Sequence, residues 1–244
     1  MPLSAHARRL LEAALAQLGI PPVRSDQIEQ LSRLYDLLIE SNAKTNLTAI
    51  TDEAGFVLKH AVDSLTCLLT GLFEGQERVI DVGTGAGFPG LPLRIAKPAL
   101  RLGLLEATRK KVEYLERAIQ ALPLANVQAL WGRAEELAHK PEFREAYDRA
   151  VVRAVGTMAT VAELGLPFVR VGGFLVVQKG PDLRDELRPL PKALEILGGK
   201  LVEIKELRLP VIEDQRRLLV IEKTAETPLQ YPRRPGLPAK HPLC

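Results

Sequence analysis

The chain has 244 residues, of which 46% are hydrophobic and 26% charged, with a formal net charge of +3. This composition is typical of a globular protein with one large domain and room for a small second one, and the mildly basic charge permits a nucleic-acid partner without requiring one. The two cysteines, Cys67 and Cys244, are too few for a disulfide framework, and no apolar run approaches the roughly 18 residues that span a bilayer. We therefore expect a cytoplasmic protein without a membrane segment.

The first 70 residues predict an N-terminal helical cap. Apolar residues recur at helical spacing over 4–20 and again over 25–38, with two prolines between them. A polar stretch over 41–50 predicts a loop, and two of the few asparagines of the chain, Asn42 and Asn46, fall in it. These asparagines are candidates for contacts with a substrate.

A third helix is predicted over 56–69, and it places His60, Asp63 and Ser64 on one face. Such a histidine is as readily a core residue as part of a ligand cleft. One histidine with one aspartate gives too few ligands for a metal ion, so we predict no metal site.

A glycine-rich turn after residue 82 is the feature around which the rest of the chain is organised. The segment 79–82 predicts a buried strand, a helix is predicted from residue 91, and the glycines between them allow a sharp turn and close approach of a ligand. Gly85, Gly87 and Gly90 match the dinucleotide fingerprint, but the carboxylate of Asp81 at the strand end would repel a pyrophosphate. A carboxylate there fits the amino-acid end and sulfonium of S-adenosylmethionine. The form Asp-x-Gly-x-Gly-x-Gly resembles motif I of class I methyltransferases.

The next two predicted strands, 100–106 and 127–131, each end in a polar turn. Glu106 lies at about the 20-residue spacing at which an acid on the second strand binds ribose hydroxyls. Its alternative role is to pair with the basic residues 109–111, which either form a solvated face or contact RNA. Ala134 and Glu135 occupy the turn that holds adenine in methyltransferases, although Glu135 also suits the first turn of a helix.

The fourth strand is predicted over 147–155 and the fifth over 172–180, with a helix between them. Arg149 and Arg153 need partners within such an apolar strand. We expect Arg149 near the cofactor and Arg153 near the substrate. Lys179, at the end of the fifth strand, is a candidate phosphate contact.

The C-terminal part predicts a helix over 183–197 that prolines split, then a hairpin of strands over 200–209 and 216–223. A basic, proline-rich tail follows, without a helix or strand signal, and it either touches phosphates and bases or is disordered. The predicted fold class is α/β, with the Rossmann-like seven-stranded sheet of class I methyltransferases. The predicted units are the cap at 1–70, the methyltransferase core at 71–223 and the tail at 224–244.

Over residues 25–235 the chain resembles the RsmG (GidB) family of bacterial 16S rRNA guanine-N7 methyltransferases. The most specific segments are Asn46-Leu47-Thr48 and Gly87-Phe88-Pro89-Gly90. The resemblance implies transfer of a methyl group from S-adenosylmethionine to N7 of one guanine, G527, in the 530 loop of 16S rRNA. It also implies a partner that is the small ribosomal subunit or an assembly intermediate, and we expect a monomer. The cofactor contacts expected from the motifs and the resemblance together are Asp81, Gly83, Gly85, Gly87, Phe88, Glu106, Ala107, Thr108, Ala134, Glu135 and Arg149.

The substrate-positioning residues that we expect are Asn42, Asn46, His60, Asp63, Arg153 and Lys179. Guanine N7 carries a lone pair and no proton, so direct transfer needs no general base, in keeping with the lack of a nucleophilic or metal motif. Three other functions stay open. They are methylation of a small molecule or protein, dinucleotide-dependent oxidoreduction, and a module that senses the cofactor without chemistry.

Overall fold

The computed structural model describes residues 2–153 and 156–243 of the chain. Within these residues the strands are β1 (Arg78–Val82), β2 (Arg101–Glu106), β3 (Val127–Trp131), β4 (Tyr147–Arg153), β5 (Val169–Lys179), β6 (Gly199–Arg208) and β7 (Gln215–Lys223). They form one seven-stranded sheet in the order β3-β2-β1-β4-β5-β7-β6. The first five strands run parallel, and β7 and β6 close the sheet as an antiparallel hairpin.

The predicted α/β fold class with its seven-stranded sheet is therefore confirmed. The predicted fourth strand also includes Ala154 and Val155, which lie outside the described residues. The central strand β1 is buried on both faces, as a run such as Val79-Ile80 requires in a parallel sheet covered by helices. Because β1, β2, β4 and β5 run parallel, their carboxyl ends meet at one edge of the sheet, which we call the carboxyl edge.

The helices of the core follow four N-terminal helices, α1 to α4, whose bounds are given in the next paragraph. The described core helices are α5 (Gly90–Ala96), α6 (Arg109–Ala121), α7 (Ala134–Leu137), α8 (Met158–Gly165), α9 (Arg184–Leu187), α10 (Leu190–Leu197) and α11 (Leu237–Lys240). A 3₁₀ turn, Leu166–Phe168, leads from α8 into β5. The break between α9 and α10 confirms the split that the prolines predict.

The N-terminal helices are α1 (Ala5–Gln17) and α2 (Ser25–Thr45), followed by a helical segment over 53–70. That segment consists of α3 (Glu53–Gly55), a π-helical stretch (Phe56–Val62), α4 (Asp63–Leu65) and a 3₁₀ stretch (Thr66–Thr70). All of them except α3 share one hydrophobic core with β1, β2, α5 and α6. The residues predicted as a cap thus cover one face of the sheet. No helix among the described residues is long and apolar enough to cross a membrane.

The loop predicted over 41–50 begins later than expected. α2 continues through Thr45, and Asn46 ends it in the left-handed conformation at φ 48°. Asparagine tolerates this conformation better than most residues, so the polar composition marks the end of the helix rather than its absence.

The C-terminal tail is packed against the core, which corrects the prediction of a tail without helix. Arg233 donates to both carboxylate oxygens of the fully buried Glu163 on α8, at 2.7 to 3.2 Å. The guanidinium of Arg144 donates to the carbonyls of Thr227 and Tyr231. The short helix α11 follows, so these arginines hold the tail and do not extend towards solvent; Cys244 lies outside the described residues.

Candidate active site

The glycine turn lies at the carboxyl edge between β1 and α5. Gly83, Gly85 and Gly87 have φ angles of 72°, 59° and 92°, and the backbone N–H of Gly83 donates to the Leu105 carbonyl of β2. A Cβ on Gly87 would lie 2.3 Å from Leu91, whereas a Cβ on Gly85 would meet nothing within 4 Å. Gly87 is therefore required for packing, and Gly85 leaves open space beside its Cα into which a ligand can approach.

Asp81 lies beneath this turn and is fully buried. Its Oδ2 accepts hydrogen bonds from the Thr84 hydroxyl at 2.6 Å and from the Gly90 N–H at 2.7 Å. Its Oδ1 is buried without a partner among the described residues. Burial raises the pKa of Asp81 to about 6, against the opposing effect of its hydrogen bonds. An unpaired buried acceptor of this kind fits a ligand that brings a positive charge.

Glu106 ends β2 beside the turn and is almost fully buried. Its Oε2 accepts from the Gly85 N–H at 3.1 Å, and its Oε1 accepts from the Thr108 N–H at 2.7 Å. The carboxylate thus joins the glycine turn to the start of α6, where Ala107 and Thr108 are exposed. This is the position expected for an acid that binds ribose, and Glu106 makes no ion pair with residues 109–111 in the structure.

Ala134 and Glu135 begin α7, after the turn that follows β3. The Glu135 carboxylate accepts a hydrogen bond from the Gly236 N–H of the tail at 2.9 Å. One oxygen of this carboxylate is therefore engaged by the tail.

Arg149 is not brought to this site, so its expected role at the cofactor is wrong. It pairs with Val79 at the start of β1, and its guanidinium donates to the carbonyls of Leu72 and Asp148 and covers the ring of Phe174. These partners lie at the end of the sheet opposite the carboxyl edge. Side chains alternate along a strand, so Arg149 and Arg153, which are four positions apart, lie on the same face of β4 but at opposite ends of it.

Arg153 is at the carboxyl edge and gathers the substrate-side residues. One guanidinium nitrogen donates to the Lys59 carbonyl at 3.1 Å and lies 3.4 Å from the Asp63 carboxylate. The other lies 3.4 Å from His60 Nδ1, and the guanidinium carbon is 5.3 Å from the centre of the Phe88 ring. The predicted residues His60, Asp63, Phe88 and Arg153 thus form one cluster beside the glycine turn.

His60 is held as a neutral imidazole. Its ring stacks on Phe88 with centroids 4.3 Å apart, and its Nε2 lies 2.9 Å from the Thr48 hydroxyl. Burial and then the nearby Arg153 lower the pKa of His60 to about 3. Because Arg153 can only donate, His60 Nδ1 accepts and Nε2–H donates to Thr48.

The two asparagines differ in their roles. Asn42 accepts from the N–H groups of Leu47 and Thr48 at 2.7 and 2.9 Å, and donates to the Thr48 carbonyl. Its amide is therefore used to shape the turn that carries Thr48 to His60, and it is not free to contact a substrate. Asn46 is exposed, and its side chain makes no hydrogen bond to another described residue.

Sequence reasoning missed two charged partners at this edge. Arg216, on β7, donates to Asp63 at 3.2 Å, so that Asp63 lies between two arginines. Glu186, on α9, pairs with Lys179 at 2.8 Å, and the Lys179 ammonium also donates to the Gly156 carbonyl. The signal for Arg216 was available, because the start of an antiparallel strand lies beside the carboxyl ends of its parallel neighbours. No group of three or more potential metal ligands occurs among the described side chains.

Comparison with known proteins identifies the family. A family model for rRNA small subunit methyltransferase G (GidB) matches residues 27–219. The chain is 47% identical over 243 residues to ribosomal RNA small subunit methyltransferase G of Deinococcus deserti, covering 99% of this chain and 98% of that protein. It is 44% identical over 238 residues to the enzyme of the same description from Alkaliphilus metalliredigens, covering 98% and 99% of the two chains.

Solved structures share the fold at low sequence identity. M. jannaschii TYW2 in complex with AdoMet aligns with a TM-score of 0.50 at 17% identity, over 66% of this chain and 76% of that one. The YcgJ protein of Bacillus subtilis aligns with a TM-score of 0.51 at 14% identity, over 66% and 98%. The match to the family model and the identity to the two relatives show that the chain belongs to the ribosomal RNA small subunit methyltransferase G family.

Proposed function

We propose that this protein transfers a methyl group from S-adenosylmethionine to N7 of a single guanine, G527, in the 530 loop of 16S rRNA. The observation that carries the proposal is that Phe88 joins the glycine turn directly to the cluster of His60, Asp63 and Arg153. The site for the methyl donor and the polar groups for a base are thus continuous. Family membership supports rRNA as the substrate class.

The residues around the glycine turn fit the cofactor. Gly85 leaves room for close approach of a ligand to the backbone, and the position of Glu106 at the end of β2 beside the turn supports a role in binding ribose hydroxyls. The unpaired Oδ1 of Asp81 fits the cationic amino-acid end. When bound, S-adenosylmethionine supplies an electrophilic methyl group, whose bonding pair stays on sulfur as the guanine N7 lone pair forms the new N–C bond.

The substrate side positions the base and moves no proton. His60 stays neutral at physiological pH because its pKa is about 3, and N7 has no proton to lose. Arg153 is held in place by the Asp63 carboxylate and the Lys59 carbonyl. Its remaining N–H groups can therefore bind a substrate without a further loss of side-chain freedom. Holding two reactants in line in this way supplies roughly 7–11 kcal/mol of the barrier.

The direct test is methyl transfer from labelled S-adenosylmethionine to small ribosomal subunits from cells that lack this protein. The modified base is mapped by strand cleavage specific for N7-methylguanine. We expect a single cleavage in the 530 loop. Label without that cleavage would refute the N7 assignment, and label on assembly intermediates alone would identify them as the substrate in place of the mature subunit.

Lys179 tests the substrate side separately. Its side chain is only 10% exposed, and its ammonium is paired with Glu186 and donates to the Gly156 carbonyl, so a phosphate would have to compete with these partners. We expect Lys179→Ala to reduce rRNA methylation more than cofactor binding. Glu186→Ala removes the competing carboxylate and keeps the bond from the ammonium to the Gly156 carbonyl, so it should leave methylation intact. Equal loss in both variants would mean that the ion pair has only a structural role, together with the bond from the Met158 N–H of α8 to Glu186 at 2.8 Å.

A further inference from the structure

Trp131 is the one tryptophan of the sequence, and its side chain is exposed at the carboxyl edge. It ends β3 in register with Glu106 at the end of β2, and 57% of its surface is accessible. An exposed indole offers a large aromatic face on which a partner can stack. None of the functions assigned above uses this residue.

The indole is held in a fixed orientation. Its Nε1–H donates to the Ala107 carbonyl at 3.2 Å, and the Arg109 guanidinium lies 4.7 Å from the ring centre. Arg109 also makes an exposed ion pair with Glu113 at 3.4 Å, one turn further along α6. The ring is thus preorganised as a flat surface rather than left to rotate.

The surroundings favour an anionic ligand. Lys110 and Lys111 follow Arg109 at the start of α6, and neither ammonium has a hydrogen-bond or ion-pair partner among the described residues. Proteins bind single-stranded nucleic acid by combining an aromatic face, on which bases stack, with positive charge that meets the phosphates.

We propose that Trp131, with the Arg109 guanidinium over its ring, is a stacking platform for an unpaired RNA base outside the catalytic cluster, and that Lys110 and Lys111 of the same helix add positive charge for the RNA backbone. This inference rests on the proposed function, since it deepens the recognition of an rRNA substrate. The platform lies on the β3 side of the glycine turn, whereas the cluster around Arg153 lies on the β4 side. It therefore contacts a nucleotide other than the one that is methylated.

Because the sequence contains a single tryptophan, its fluorescence reports on this site alone. We expect quenching by a short single-stranded RNA of mixed sequence, and much weaker quenching by the duplex of the same sequence, whose bases are already stacked. S-adenosylhomocysteine alone should leave the fluorescence unchanged. Quenching by S-adenosylhomocysteine would overturn the proposal, because Trp131 would then belong to the adenine pocket.

Two substitutions separate stacking from the bond to Ala107. Trp131→Ala should raise the KM for small subunits roughly 5- to 150-fold, the range equivalent to losing one stacked base. Trp131→Phe keeps the ring and loses the N–H, so it should stay within a few-fold of the unmodified enzyme. The control Leu229→Ala removes a residue that is 81% exposed and should change nothing. Equal effects of the alanine and phenylalanine variants, or an effect confined to the KM for S-adenosylmethionine, would contradict the platform.

Lys110→Ala and Lys111→Ala should each weaken binding of small subunits and reduce its salt dependence, because fewer counterions are released. The control Lys192→Ala removes an exposed charge on α10. Methylation of subunits by the unmodified enzyme tests the proposed function independently. If that methylation occurs and the Trp131 variants match the control, only the platform fails.

Discussion

Replacing Asp81 with asparagine separates two tasks of this carboxylate. Its Oδ2 accepts hydrogen bonds from Thr84 and Gly90, and an amide oxygen would accept the same two. Its unpaired Oδ1 would be replaced by an amino group, which can no longer accept a bond from a cationic ligand. Asp81→Asn therefore keeps the glycine turn and removes the negative charge.

The size of the effect follows from the burial of the carboxylate. The pKa of Asp81 rises from 3.8 to about 6, and each pKa unit corresponds to about 1.4 kcal/mol. Ionisation of Asp81 thus lowers the free energy of unfolding of the unliganded protein by up to roughly 3 kcal/mol at neutral pH. Since the folded state binds this proton more tightly than the unfolded chain, the stability contributed by Asp81 is lost as pH rises from about 4 to about 6. Losing a charge-assisted hydrogen bond to the cofactor costs about 1.5–3 kcal/mol, or roughly 10- to 150-fold in affinity.

Calorimetric titration with S-adenosylhomocysteine over about pH 5 to 7, together with thermal unfolding, measures both effects. The ligand's amino group stays protonated in this window. We expect the affinity of the unmodified protein to rise with pH, and Asp81→Asn to bind weakly without that rise. Thr84→Val is the control, because it keeps the charge of Asp81. The affinity of this variant should rise at a higher pH than that of the unmodified protein, because the Thr84 hydrogen bond lowers the pKa of Asp81. Normal affinity of Asp81→Asn at pH 7 would refute the assigned role.

Three further predictions follow from buried groups. Glu106→Ala should weaken cofactor binding at least about tenfold, because ribose loses a charged acceptor, with an unchanged circular dichroism spectrum; unchanged affinity would exclude the ribose role. The kcat of methylation should be flat between about pH 6 and 8, because the pKa of His60 is about 3, and a titration of kcat that disappears in His60→Gln would contradict direct transfer. Arg233→Ala leaves the buried Glu163 without its ion pair and should lower the free energy of unfolding by roughly 3–5 kcal/mol. The exposed Arg234→Ala should change it by less than about 0.5 kcal/mol, and equal effects would show that the tail is not held by this pair.

Local sequence patterns predicted the parts of the site that local physics determines. The glycine turn and its acid on β2 follow from a strand end, a required positive φ and a fixed spacing, so the sequence predicted that Asp81, Gly85 and Glu106 lie together. The hairpin and the split helix also carried clear signals in prolines and alternating residues. These features depend on neighbours in the chain, which a sequence displays directly.

Long-range partners were harder to predict. Arg149 and Arg153 have the same chemistry on the same strand face, and only the register with β1 shows which one reaches the carboxyl edge. The carboxamide of Asn42 looked available because its partners are backbone groups, which the sequence does not distinguish. The tail appeared unstructured because the buried Glu163 that holds it lies 70 positions away.

Direct transfer to N7 is tested most directly by an RNA that carries 7-deazaguanine at the target position, assembled into small subunits. This base keeps its Watson–Crick edge and its stacking surface but has no lone pair at the position of attack. We predict that such subunits accept no label and compete with normal subunits for the enzyme. Label on the modified base would show that another atom is methylated and would contradict the account.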